Sequence, residues 1–180
     1  MFNPSVELAA YLIYWSAPGS SVADKGWMTV RFVLKRLMDC TVMDMHELSN
    51  YLIFNELMEP RAAELVEQTG YSLVDVQRKL VELAMTVVET NVTQWGQGYH
   101  ALPLTFVQRP DSFLCAVFGN LVDQNLNFYA EQVDEDGLWP VTWEWDAYPQ
   151  EFAIARRYWQ GIIALERYRI LQAFGWLPLL

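Results

Sequence analysis

Glu144 and Asp146 flank Trp145 in the stretch EQVDEDGLWPVTWEWDAYPQEF, residues 131–152. Two carboxylates beside an aromatic ring are what cleavage of a sugar linkage needs: one protonates the leaving oxygen, the other attacks or activates water. Glu144 and Asp146 could act so if both face one cleft. Trp143 and Trp145 are two positions apart, so an extended backbone puts both rings on one face. That face would be a platform for a sugar ring or a prenyl chain. In the purely structural alternative, Trp139, Trp143 and Trp145 dock between helices and pin a loop. Arg156 and Arg157 follow in the next helix. They could hold a diphosphate bidentately, or pair with Glu151, Glu144 or the acidic turn Asp134, Glu135 and Asp136.

His100 sits after Tyr99 in a connection rich in Gly and Pro, where loop residues often carry function. No serine or cysteine lies near it in a nucleophile motif. His46, beside Asp44 and Glu47, reads as a solvent-facing residue at a helix start. The Asp-x-Asp-Gly of the acidic turn is a fragment of a calcium loop without the remaining spaced ligands. Cys40 and Cys115 have no CxxC spacing, so they read as small hydrophobes and give neither a zinc signature nor a disulfide framework. The expectation is no metal and no cofactor.

The composition narrows the partners. Of 180 residues, 12 are Lys or Arg against 22 Asp or Glu, a net charge of −10. Such a chain, without a basic run, is poorly suited to phosphate backbones, so nucleic acid is not expected. No apolar stretch approaches the ~20 residues that span a bilayer. The N-terminal MFNPSVELAAYLIYW lacks a basic leader region, and two unpaired cysteines suit a reducing cytoplasm. The sequence is 53% hydrophobic, so much apolar surface must be buried, in a core or against a partner.

The elements that position these residues read as helices. Asn3-Pro4 starts the first, with Leu8, Tyr11, Leu12 and Trp15 at helical spacing until the break SAPGSS. A second covers about Asp24 to Asp39, with Trp27, Val30, Leu34 and Leu37 on one face. A third covers about Asp44 to Met58, with Met45, Leu48, Leu52 and Leu57 turned inward. Pro60 opens a short element that stops at Gly70. Ser72 and Asp75 cap the next helix, striped by Leu73, Val76, Leu80, Leu83 and Val87. After a long connection, Thr93 to Pro110, one helix should run from Asp111 to about Glu131. The last follows Pro149. Phe152, Ala155, Trp159, Ile162 and Ile163 share one side, with Ile154, Tyr158 and Leu165 beside them, so deep packing is expected. The period-2 pattern of strands is missing. The fold class is all-α, with six or seven helices in a single domain, residues 1–180.

One further pattern concerns the joint between the last two long helices. Phe128, Tyr129, Gln132, Asp136-Gly137 and Trp139 resemble the glutamine–tryptophan turn of terpenoid cyclases, and the related DG-x-W turn of protein prenyltransferase β subunits. WEWDAYPQEFAIARRYWQGIIALERYRILQAFG, residues 143–175, is similar to the final helix pair of bacterial prenyltransferase- or squalene-cyclase-like proteins. The resemblance is most specific over Asn125 to Gly175. It implies antiparallel helix pairs in a partial α/α toroid, since a full ring needs about twelve helices. It also implies that Gly137 takes positive φ and that Trp139 stacks against Gln132. The acid motif D-x-D-D and the metal motif D-D-x-x-D are both absent, so the resemblance transfers no catalytic residue. Two functions follow as expectations. One is a catalytically silent binding or assembly module that forms a homo-oligomer, or takes a partner protein, through an apolar helical face and the C-terminal AFGWLPLL. The other is an enzyme acting on a prenyl, terpenoid or glycan substrate in an aromatic-lined pocket.

Overall fold

The computed structural model describes residues 4–178. Two expectations, the Asn3 cap and the tail residues Leu179 and Leu180, lie outside them. Within the described residues the fold is all-α, with no strand and one isolated bridge, Val88 to Ala101. The chain falls into two compact units, Met1–Val87 and Val88–Leu180.

The first unit holds α1 (Ser5–Tyr14), α2 (Ser21–Asp39), α3 (Met45–Met58), α4 (Ala62–Thr69) and α5 (Leu73–Val87), with a 3-10 turn at Glu59–Arg61. Ser20 caps α2 by accepting from the Ala23 amide, and Asp44 caps α3 by accepting from that of His46. Gly70, in the left-handed region, ends α4. The face expected for α2 is the buried one: Trp27, Val30, Leu34 and Leu37.

The face expected for α1 is not. Val6, Ala9, Ala10 and Ile13 are buried, while Leu8, Leu12 and Trp15 are exposed. The cause is a close helix crossing. A Cβ on Gly26 of α2 would lie 2.9 Å from the Ala9 carbonyl and 2.7 Å from Ile13. With no side chain at Gly26, the Ala9 carbonyl and the Ile13 side chain pack directly on α2, which turns the Leu8, Leu12 and Trp15 side outward. A similar rotation occurs in α3. Leu48 is buried as expected, but Met45, Leu52 and Leu57 are half-buried. The inward residues are Tyr51, Phe54 and Met58, with Glu47, Asn50 and Asn55 among them.

Glu47 and Asn50 have local partners, the Asn50 amide donating to the His46 carbonyl at 2.8 Å, while Asn55 Oδ1 is buried without a hydrogen bond among the described residues. Arg36 donates to both Glu47 oxygens, at 2.5 and 3.2 Å. The Tyr51 hydroxyl donates to the Val33 carbonyl at 2.9 Å. Burial, reinforced by the nearby Glu47 carboxylate, pushes the Tyr51 phenol up to about 12. A second network ties α4 down. Trp27 Nε1 donates to Glu64, Arg61 pairs with the other oxygen of that carboxylate, and Arg61 also donates to the Ser16 carbonyl.

The second unit holds α6 (Pro103–Phe106), α7 (Phe113–Phe118), α8 (Asn120–Gln132) and α9 (Pro149–Ala173). Its long first connection is packed down. Trp95 is buried, donates to the Glu89 carbonyl at 2.8 Å and meets Phe128 edge-on. Asn125, fully buried on α8, accepts from the Leu104 amide at 2.9 Å.

Two expectations are corrected in this unit. The single helix from Asp111 to Glu131 is two helices, because Gly119 between them has φ 49° and ψ −124°, which is closed to a side-chain-bearing residue. The last helix is not deeply packed. Phe152, Ile163, Ala164, Ile170 and Leu171 are buried, whereas Ile154, Tyr158, Ile162 and Leu165 are exposed. The buried five repeat at spacings that hold one side of a 25-residue helix, and the other apolar side has no cover among the described residues.

Candidate functional site

The loop between α8 and α9 is built on a tight acidic turn. Asp134 Oδ1 accepts from the amides of Asp136 and Leu138, at 3.0 and 2.8 Å. Asp134 and Leu138 also bond through their backbones at 2.9 Å. The turn closes because Gly137 takes φ +77°, as expected for a glycine there. Its carbonyl accepts from the Tyr168 hydroxyl at 2.8 Å. The Asp134 carboxylate thus organises the loop.

The turn delivers Trp139 to a buried slot. Its indole Nε1 donates to the Tyr129 carbonyl at 2.7 Å, and Tyr168 meets the ring edge-on at 4.9 Å. Arg167 lies 4.1 Å over the Tyr129 ring and 5.6 Å from the Trp139 ring centre. Two aromatic faces therefore hold one cation. Burial lowers the Arg167 proton affinity and raises that of the Tyr129 phenol, whose charged form the guanidinium would favour. The expected Gln132 is exposed. Tyr168 and Arg167 from α9 hold the place assigned to it. Sequence reasoning placed Tyr129 in the turn motif but missed Arg167 and Tyr168. The available signal was Arg167 between Ile163 and Ile170, a cation on the buried side of α9.

The remaining tryptophans split. Trp143 meets Tyr99 at 5.0 Å and Trp159 at 5.7 Å, both edge-on. Trp145 instead tilts over Phe152 at 5.4 Å. The two rings anchor to α9 nearly two turns apart. The Thr142 hydroxyl donates to the Gly98 carbonyl at 2.6 Å, which joins this loop to the connection carrying Tyr99 and His100. Tyr99 is exposed, and Trp143 and Trp159 are half-buried, so the three rings form a cluster open on one side. His100, Glu144, Asp146, Arg156 and Arg157 are all exposed. Among the described residues no salt bridge joins Arg156 or Arg157 to Glu151, Glu144 or the acidic turn. No group of three or more His, Cys, Asp and Glu among them is arranged to hold a metal ion.

A second surface lies on α9 itself. Ile154, Tyr158, Ile162 and Leu165 are 66%, 73%, 45% and 62% exposed, and they recur at helical spacing along one face. Gly161 lies on the same face, and a Cβ there would meet nothing within 4 Å. At the helix end, the amides of Gly175 and Trp176 donate to the Gln172 and Leu171 carbonyls, closing α9 in a Schellman turn that leaves Trp176 exposed. Among the described residues no helix is long and apolar enough to cross a membrane.

Compared with known proteins, the sequence matches no family model, and neither a curated relative nor a solved structure matches it.

Proposed function

We propose that this chain is a catalytically silent binding and assembly module of partial α/α-toroid type, working in the cytoplasm as a homo-oligomer. The observation that carries the reading is the exposed apolar face of α9. Four large apolar side chains in one helical row stand in water on a helix whose other side is already packed. Contiguous exposed apolar surface of that kind marks an interaction site. The exposed Trp176 extends the apolar character toward the C-terminal tail. The absence of D-x-D-D and D-D-x-x-D agrees with a silent relative of the cyclases and prenyltransferases. Static light scattering over a concentration series tests the reading. The mass should rise from one chain toward two, and Ile162→Glu should weaken association on the order of tenfold or more. A one-chain mass at every concentration would sink it.

A second reading is favoured by the open Tyr99, Trp143 and Trp159 cluster: an aromatic platform for a prenyl chain or a glycan, with His100, Glu144 and Asp146 as candidate catalytic groups. Tryptophan fluorescence during titration with a prenyl alcohol or an oligosaccharide tests it. A saturable change abolished by Trp143→Ala supports the platform, and a flat titration removes it.

A further inference from the structure

The face of α9 has a charge pattern that its apolar row alone does not require. Glu151 lies before the row and Arg169 after it, 18 residues apart, which is five turns of 3.6 residues. The two therefore point in the same direction from the helix axis as Tyr158 and Leu165 between them. Both are exposed, and neither takes part in a salt bridge among the described residues. The midpoint between them is Gln160, and Tyr158 and Ile162 are equidistant from that same point. A row that is apolar at its centre, acidic at one end and basic at the other is complementary to its own reverse.

We propose that α9 pairs with α9 of a second copy in antiparallel register, about a two-fold axis that crosses the helix at the level of Gln160. This deepens the assembly reading and rests on it. In that register Tyr158 of one copy faces Ile162 of the other, twice. Glu151 of each copy reaches Arg169 of its partner, also twice. Such isologous repetition is what a two-fold imposes. A parallel pair would set Glu151 against Glu151 and Arg169 against Arg169, so the charges select the antiparallel arrangement. Gly161, where a Cβ would meet nothing within 4 Å among the described residues, leaves room beside the crossing point for the facing Tyr158 ring. The four apolar side chains expose on the order of 500 Å² per copy, below the roughly 800 Å² each partner buries in a standard interface. The pair is therefore a weak, concentration-dependent dimer in which the end charges weigh heavily.

Charge reversal tests the register. Glu151→Arg and Arg169→Glu are made separately in the full chain, and far-UV circular dichroism checks that each keeps the wild-type helix content. Each alone places like charges together twice and should self-associate about tenfold more weakly in sedimentation velocity. An equimolar mixture of the two restores both attractive pairs and should give a two-chain species as readily as wild type. The double variant in one chain should also pair like wild type. Glu151→Gln and Arg169→Gln provide milder versions that keep the helix ends neutral. Single variants that pair as tightly as wild type, or a mixture that stays monomeric while wild type pairs, would overturn the register and leave the assembly reading standing. A wild type that never pairs would overturn both.

Discussion

Gly137 shows how much one position can hold. Its φ of +77° is strained for any side-chain-bearing residue, and a Cβ there would lie 2.7 Å from the Tyr168 hydroxyl. Gly137→Ala should therefore destabilise the chain by about 1 kcal/mol or more, read from denaturant unfolding. Unchanged stability would mean that the turn does not hold Trp139. Gly161 is the opposite case. It is helical and exposed, and a methyl group there meets nothing. Gly161→Ala should raise stability by about 0.5–1 kcal/mol in dilute solution, where the chain is alone. The glycine and the buried tryptophan were legible in the sequence, because a turn's chemistry is local. The ring's neighbours were not. Gln132 is close in sequence, but Tyr168 and Arg167 reach Trp139 from α9, and no local spacing sets the register of that helix against the turn.

Among the elements, α5 is the one whose sequence and structure agree most fully. The Ser72 hydroxyl accepts from the Asp75 amide, and Asp75 accepts from both the amide and the hydroxyl of Ser72. These bonds hold the Asp75 carboxyl below its ordinary value. A lowered carboxyl contributes stability above its unfolded value, near 4, and that contribution is lost as pH falls through the folded value. Ser72→Ala should cost about 1 kcal/mol at neutral pH. It should also flatten the acid limb of the stability curve. A variant whose acid limb matches wild type would contradict the cap. Elsewhere, helices were easier to find than their faces. In α1 and α9 apolar residues occupy most of the circumference, so spacing alone leaves the buried side undetermined. The Gly26 crossing decides it in α1, and the aromatic anchors Trp139, Trp143 and Trp145 decide it in α9. The break at Gly119 was hidden for a similar reason, since a glycine inside a helical pattern is as often tolerated as it is a stop.

For the whole molecule, the all-α class followed from the missing period-2 pattern, which is a property of every segment together. The expectation of one domain came from length, and the structure has two compact units meeting in sequence at Val87 and Val88. The apolar excess of the composition lies partly outside the cores, on α9, and that excess underlies the proposal of assembly. With a net charge of −10, two copies repel at long range, so pairing is best sought at physiological salt, where that repulsion is screened within about 8 Å. Hydrogen–deuterium exchange of α9 at low and at high protein concentration tests the assembly most directly. Amides around Tyr158, Ile162 and Leu165 should become more protected as concentration rises, while those of α5 stay unchanged. Protection of α9 that is identical at both concentrations would contradict it.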